Sequence, residues 1–73
     1  MTTAERIKDR RTQQGKTQDE MEKLTGIDQG HISMIETGRR KRISADIMVK
    51  IARALGCTVE DLVASRLPMA AGW

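Results

Sequence analysis

The sequence predicts an all-α domain of five short helices, and three observations support that prediction. Apolar residues recur at helical spacing, most clearly at Ile47, Met48, Ile51, Ala52 and Leu55. A serine, threonine or aspartate precedes each helical stretch, and a glycine follows each of the first four, as is typical of helix starts and ends. No segment alternates apolar and polar residues well enough to indicate a strand.

Helix 1 is predicted over residues 3–14. Thr2 and Glu5 have the spacing of a capping box, in which each side chain satisfies a backbone N–H of the other residue. Ile7 faces inward, and Arg11 continues the same stripe one turn later. Because an unpaired buried charge is costly, we expect Arg11 to have a partner.

Helix 2 is predicted over residues 18–24, and Thr17 and Glu20 have the spacing of a second capping box. Met21 and Leu24 are expected to form its apolar face. Gly26 can adopt the left-handed conformation that ends a helix.

Helix 3, over residues 28–36, follows after a tight turn and is capped by Asp28. Ile32 and Ile35 are its expected buried stripe, which leaves an outer face with few large apolar groups. The next residues, Arg39-Arg40-Lys41-Arg42, are called the basic segment below. A short helix followed by four cations suits a helix laid in a DNA groove and held by phosphates.

Helix 4 begins after Ser44, carries the strong apolar pattern and ends at Gly56. Thr58 and Asp61 mark the start of helix 5, and its expected apolar face is Val59, Leu62 and Val63.

The 73 residues make one domain, residues 1–66, followed by an uncharged tail, residues 67–73. A chain with 38% hydrophobic residues and one aromatic residue has a small core, for which oligomerisation is a common remedy. We therefore expect a homodimer, with candidate contacts at Leu62, Arg66, Leu67, Met69 and Trp73.

The charge and cysteine content exclude several classes of protein. The net charge is +3 and the basic segment contributes +4, so the remainder sums to −1 and the basic character is local. Cys57 is the single cysteine, which excludes an internal disulfide and fits a reducing compartment. No apolar signal segment or membrane-length apolar run is present, so we expect a cytoplasmic protein. With one histidine, no metal-spaced cluster and no phosphate-binding glycine loop, we expect no enzyme activity, metal or cofactor.

A resemblance to a known family covers roughly residues 4–64. Its motifs are Gly15-Lys16-Thr17-Gln18 through Gly38, the basic segment, and Ile51-Ala52-Arg53-Ala54-Leu55-Gly56-Cys57-Thr58-Val59-Glu60-Asp61-Leu62. These residues resemble the Cro and phage-repressor class, or XRE-like class, of helix-turn-helix DNA-binding domains. The resemblance implies a five-helix, lambda-repressor-like fold in which helix 3 is the recognition helix and double-stranded operator DNA is the partner.

The resemblance also implies roles for individual side chains. Gln18 would contact a phosphate and the tip of helix 3, and Arg11 and Glu36 would form an ion pair. Glu22 stands where the family prefers alanine, so it must turn outward or pair with Arg39 or Arg40. The implied base contacts are Gln29, Gly30 and Met34, and the implied phosphate contacts include Arg39, Arg40, Lys41 and Arg42.

A helical wheel selects nearly the same surface independently. With Ile32 and Ile35 inward, the opposite arc contains Gly30, Ser33, Met34 and Thr37. Gln29 lies at the exposed tip, where its amide can pair with adenine, and Met34 can meet a thymine methyl group. Ser33 and Thr37 are either phosphate or base contacts or solvated surface, and His31 is either a phosphate contact or a residue at the helix edge.

The sequence thus predicts a sequence-specific DNA-binding regulator, a repressor that acts as a homodimer on a palindromic or pseudopalindromic operator. The alternative is an adaptor or antitoxin-like module that uses the same fold to bind a protein. The basic segment favours DNA over a purely protein partner.

Overall fold

The computed structural model describes residues 2–39 and 42–63, which contain five helices and no strand. The helices are α1 (Thr3–Gln13), α2 (Gln18–Thr25), α3 (Gln29–Glu36), α4 (Ala45–Leu55) and α5 (Val59–Val63). The first four helices begin and end within one residue of the positions predicted from sequence, and α5 begins one residue after Thr58. Within the described residues, no helix has the length and apolar content needed to cross a bilayer.

Local capping signals set the helix boundaries. Reciprocal capping boxes join Thr2 to Glu5 and Thr17 to Glu20, as predicted. The Asp28 side chain accepts from the Gly30 backbone N–H at 2.9 Å and so caps α3. At the C-terminal end of α2, the backbone of Gly26 has a φ of 77°, a left-handed conformation that residues with a Cβ atom rarely adopt.

The core lies where α4 packs against α1, α2 and α5, while α3 packs against α1 and α2. Its buried apolar residues come from all five helices and from the α2–α3 turn: Ile7, Met21, Ile27, Ile32, Ile35, Met48, Ile51, Ala52, Leu55 and Leu62. Because α3 is covered only on the side of α1 and α2, its opposite face is left at the surface. Cys57 packs against the core, and burial raises the pKa of its thiol.

Two residues expected in apolar faces are exposed instead. Leu24 is 58% exposed, because the inward side of α2 runs through Gln18, Met21 and Thr25 at helical spacing. At about 100° per residue, Leu24 lies well to the side of that line. Val63 is 39% exposed, because α5 turns Leu62 rather than Val63 into the core.

Ile27 is a core residue that the sequence analysis did not identify. It is 7% exposed, immediately precedes the cap of α3, and lies in the same buried cluster as Ile32. This spacing is that of a hydrophobic staple, in which the residue before the cap packs against the fourth residue of the helix. The staple sets the angle at which the turn enters α3.

Candidate nucleic-acid interface

The outer face of α3 is at the surface. Ile32 and Ile35 are each 1% exposed, and they hold the helix against the core on one side. On the other side Gly30 and Thr37 are exposed, and Met34 is 42% exposed. The structure therefore turns the predicted reading arc away from the protein interior.

A buried ion pair fixes α3 to α1. The Nε and Nη2 atoms of Arg11 donate to the two carboxylate oxygens of Glu36 at 2.7 and 3.0 Å. The side chains are 12% and 1% exposed, and Arg11 Nη1 also donates to the backbone carbonyl of Lys16 at 2.8 Å. The ion pair implied by the resemblance is thus present, and it gives Arg11 the partner that its inward position requires.

Two glutamines continue from this pair to the surface. Gln18 Nε2 donates to Glu36 Oε1 at 3.1 Å, and Gln29 Nε2 donates to Gln18 Oε1 at 2.5 Å. Gln18 begins α2 and Gln29 begins α3, so the bond joins the starts of the two helices. The first residue of the reading helix is therefore held by the neighbouring helix.

The N-terminal end of α2 borders a shallow depression that includes Gln18, Gln29 and Lys16. Lys16 is half-buried, and its Nζ donates to Gln14 Oε1 at 2.5 Å. The sequence analysis gave Lys16 no binding role. The available signal was its position, since Lys16 is a cation directly before the cap of α2 and helix N-termini favour anions.

Three further residues in or directly after α3, Ser33, Thr37 and His31, were expected to contact phosphates, and they differ in exposure and in the hydrogen bonds they make within the protein. Ser33 is half-buried, and the Thr37 hydroxyl donates to the Met34 carbonyl at 3.2 Å. His31 is also half-buried, but its Nε2 is buried and has no hydrogen-bond partner among the described residues. A phosphate could reach that nitrogen only after the ring turned outward.

The basic segment is described at its two ends. Arg39 and Arg42 are both exposed, on either side of Arg40 and Lys41, which lie outside the described residues. Arg39 follows α3 directly, since its backbone N–H donates to the Met34 carbonyl at 3.1 Å. An exposed cation, Arg39, therefore stands next to the last turn of α3.

Glu22 is half-buried on α2. Within residues 2–39 and 42–63 the ion pairs are Arg11–Glu36 and Lys50–Asp46, so Glu22 does not pair with Arg39 there. The alternative partner Arg40 lies outside the described residues.

One expected dimer contact is wrong. Leu62 is 0% exposed within a single chain, so its side chain is used by the monomer core and cannot contact a second copy. The error arose because α5 has one strongly buried position, and Leu62 occupies it. The other expected contacts, Arg66, Leu67, Met69 and Trp73, lie outside the described residues.

Comparison with known proteins agrees with this geometry. The sequence matches the helix-turn-helix family over residues 7–62. Comparison with curated protein sequences finds no match. Among solved structures, the chain is similar to the P22 c2 repressor protein in complex with synthetic operator 9T in the presence of Tl+. That likeness has a TM-score of 0.81 at 23% identity and covers 90% of this chain and 98% of that chain, which confirms the predicted fold.

The family match runs from the first buried residue of α1, Ile7, to the last of α5, Leu62, and so includes every helix of the core. It also includes the ion pair, both glutamines and the basic segment. Because the match covers well over half of the sequence, the chain belongs to the XRE-type helix-turn-helix family of DNA-binding transcription regulators.

Proposed function

We propose that the protein is a sequence-specific repressor that binds a palindromic or pseudopalindromic operator as a homodimer. In this proposal α3 lies in the major groove, with Gln29, Gly30 and Met34 at the base edges. The basic segment follows the adjacent phosphates. Supporting this, the arc of α3 that carries Gly30 and Met34 is exposed, Arg39 is an exposed cation directly after that helix, and Arg42 is exposed further along the chain.

The three proposed base contacts differ in what they can recognise. The Gln29 amide can donate and accept at once, which matches the major-groove edge of adenine. Met34 offers an apolar surface for a thymine methyl group, and its 42% exposure leaves that surface accessible. Gly30 has no side chain, so its contribution is to let the backbone of α3 approach the base edges closely.

Phosphate contacts are proposed at both ends of the reading helix. Beside the start of α3, Gln18 and Lys16 border the depression at the α2 N-terminus, which Asp19 also lines, and the positive end of the helix dipole favours an anion there. At the end of α3, Arg39 and Arg42 extend into solvent, and Arg40 and Lys41 add two cations by sequence. Ser33 and Thr37 can add neutral donors, whereas His31 would first have to turn its ring.

Dimerisation is proposed because one short recognition helix contacts few base pairs. Two copies related by a two-fold axis would read half-sites about 34 Å apart, one turn of the duplex. With Leu62 buried in the monomer, the proposed contact is the tail with Arg66, Leu67, Met69 and Trp73. Sedimentation analysis should show a dimer at tens of micromolar, and a strict monomer both free and on the operator would contradict this part.

The central test is selection of bound sites from random duplexes, followed by fluorescence anisotropy on the selected site. We expect a selected site with two-fold symmetry. Replacing both Arg39 and Arg42 by alanine should weaken binding to operator and random DNA alike, and should flatten the salt dependence by about four phosphate contacts per dimer, two from each copy. Arg53→Ala, an exposed cation on the last turn of α4, is the matched control.

The Gln29→Ala variant separates reading from general affinity. It should lose about 1–3 kcal/mol on the operator but little on random DNA. Equal losses on both duplexes would show that Gln29 does not read bases. If the wild-type protein bound no duplex even at low salt, the adaptor function would become the better explanation.

A further inference from the structure

We infer that Glu36 is a positioning residue that determines which base Gln29 recognises, by fixing the direction of a hydrogen-bond relay. The relay consists of Arg11, Glu36, Gln18 and Gln29, and it runs from the buried ion pair to the first turn of α3. This inference rests on the proposed DNA-binding function and deepens it, because it explains what makes Gln29 prefer adenine over guanine.

The direction of the relay is set at Glu36. An ionised carboxylate can only accept hydrogen bonds, and Glu36 Oε1 accepts from Arg11 Nη2 at 3.0 Å and from Gln18 Nε2 at 3.1 Å. Exchanging the amide oxygen and nitrogen of Gln18 would bring two acceptors together beside a carboxylate that is 1% exposed. Water cannot reach between two acceptors that are buried so deeply, and their repulsion would be costly. Gln18 must therefore point its NH₂ group at Glu36.

The orientation of Gln18 in turn determines the orientation of Gln29 at the surface. With its nitrogen on Glu36, Gln18 presents only its carbonyl oxygen to Gln29, and this oxygen accepts from Gln29 Nε2 at 2.5 Å. One N–H and the carbonyl oxygen of Gln29 then remain for DNA. One donor beside one acceptor matches the N7 and N6–H₂ groups of adenine, whereas guanine presents two acceptors, N7 and O6. The relay therefore selects adenine at the position Gln29 contacts.

Removing the carboxylate should release the relay without touching the reading surface. In the double variant Arg11→Met with Glu36→Leu, no acceptor remains to hold the Gln18 NH₂ group inward, and no charge is left unpaired. Gln18 is then free to present either its oxygen or its nitrogen to Gln29. Gln29 can in turn offer DNA either a donor with an acceptor or two donors, so its preference for adenine over guanine should fall.

The test measures the affinity ratio between two selected operators that differ only at the Gln29 base pair, adenine against guanine. One good bidentate contact supports a ratio of about 5- to 150-fold in the wild type. Gln18→Ala frees the Gln29 amide and should bring the ratio towards unity, and the double variant Arg11→Met with Glu36→Leu should lower it in the same direction. If Gln18 also binds a phosphate, its removal weakens binding to both duplexes equally, and this effect cancels in the ratio.

Matched controls are Gln13→Ala and Glu60→Gln. Gln13 is an exposed glutamine bonded to Asp9, and Glu60 is exposed on α5. Both should keep the wild-type ratio, and thermal unfolding should show that every variant tested is folded. An unchanged ratio in the folded Gln18→Ala protein and in the folded Arg11→Met, Glu36→Leu protein would overturn the inference, because DNA alone would then orient Gln29.

A second measurement needs no DNA. In the free protein, one of the two side-chain N–H groups of Gln29 should exchange slowly with solvent in NMR spectra, and this protection should vanish in Gln18→Ala. Equal, rapid exchange of both groups in the wild type would overturn the relay even if DNA binding were found. If the relay were present but no duplex bound, the adenine assignment would fail together with the proposed function.

Discussion

The helix-turn-helix unit, residues 17–37, and the α4–α5 unit, residues 45–63, are stabilised by different kinds of contact. The α4–α5 unit contributes only apolar residues to the core: Met48, Ile51, Ala52, Leu55 and Leu62. The helix-turn-helix unit buries Ile32 and Ile35 but also Glu36, which is 5% exposed and bound to Arg11. The reading helix is therefore held in place partly by a charge, and that same charge orients the glutamines at its tip.

The difference has a functional consequence. An apolar contact fixes where a helix lies but leaves the orientation of polar side chains open, because it has no donor or acceptor. A buried carboxylate specifies both position and hydrogen-bond direction. Placing Glu36 on α3 thus gives the proposed DNA-binding surface a more defined polarity than apolar packing could provide.

The largest expected effect comes from breaking the charged contact. Glu36→Ala leaves Arg11 buried at 12% exposure without its carboxylate, and removing one partner of a buried pair typically costs about 3–5 kcal/mol. Urea unfolding followed by circular dichroism measures the loss. For a domain whose total stability is about 5–15 kcal/mol, much of the protein could be unfolded at physiological temperature.

The control replaces both partners with apolar residues, Arg11→Met together with Glu36→Leu. Because no charge is then left unpaired, this double variant should be considerably more stable than Glu36→Ala. It should nevertheless lose the Gln18 orientation, so its adenine preference should fall although its fold is intact. A double variant as unstable as the single one would mean that the contact is held by packing rather than by charge.

The next largest effect contrasts two leucines. Leu55 in α4 is 2% exposed and Leu24 in α2 is 58% exposed. Leu55→Ala should cost about 2–5 kcal/mol through reduced burial and a residual cavity. Leu24→Ala should stay within about 0.5 kcal/mol, as is usual for surface sites, in the same unfolding assay. A large loss at Leu24 would show that the surface of α2 is covered in solution, for example by a second copy.

These two leucines also show what the sequence could predict. In α4, five apolar residues at consistent spacing define a face without ambiguity, and four of them are buried. In α2, the face was predicted from the apolar residues Met21 and Leu24, which left out the polar Gln18 and Thr25 that share the side of Met21. Packing against α3 and α4 decided it instead, through Gln18 and Thr25.

The candidate site was predictable in part for a similar reason. Ile32 and Ile35 fix the roll of α3, so its exposed arc followed from spacing alone. The Arg11–Glu36 contact joins residues 25 positions apart, and no local pattern specifies such a pair. The resemblance implied it, but the link from Glu36 through Gln18 to Gln29 depends on three-dimensional placement. Leu62 failed as a dimer contact because sequence pattern cannot distinguish core from interface.

Helix caps provide a smaller comparison between the two units. Thr17 forms a reciprocal box with Glu20, with bonds of 3.1 and 2.7 Å, whereas Ser44 makes a single bond of 3.3 Å to the Ile47 N–H. Replacing a cap by alanine costs about 0.5–2 kcal/mol. We expect Thr17→Ala near the upper end and Ser44→Ala near the lower end in thermal unfolding. The reverse order would mean that α4, despite its apolar face, depends more on its cap than α2 does.

The smallest expected effect is the response of the α4–α5 unit to acid. The Thr58 backbone N–H, with added help from the Thr58 hydroxyl, holds the pKa of Asp61 below its ordinary value. When the pKa of a carboxyl group is lower in the folded than in the unfolded protein, its ionised form stabilises the fold. This contribution is complete above the pKa of the unfolded state, about 3.9, and is lost as the pH falls through the pKa of the folded state. Stability should therefore decline below about pH 4.

The acid response can be assigned to Asp61 by measuring unfolding at several pH values for Asp61→Asn and by an NMR titration of the Asp61 carboxyl group in Thr58→Ala. Asp61→Asn should flatten the decline in stability, because its amide oxygen can still accept from Thr58 but does not titrate. Thr58→Ala should raise the Asp61 pKa only partly, since the backbone N–H remains and is the larger cause. A full return to the ordinary value in Thr58→Ala would mean that the hydroxyl, rather than the backbone at the start of α5, stabilises the carboxylate.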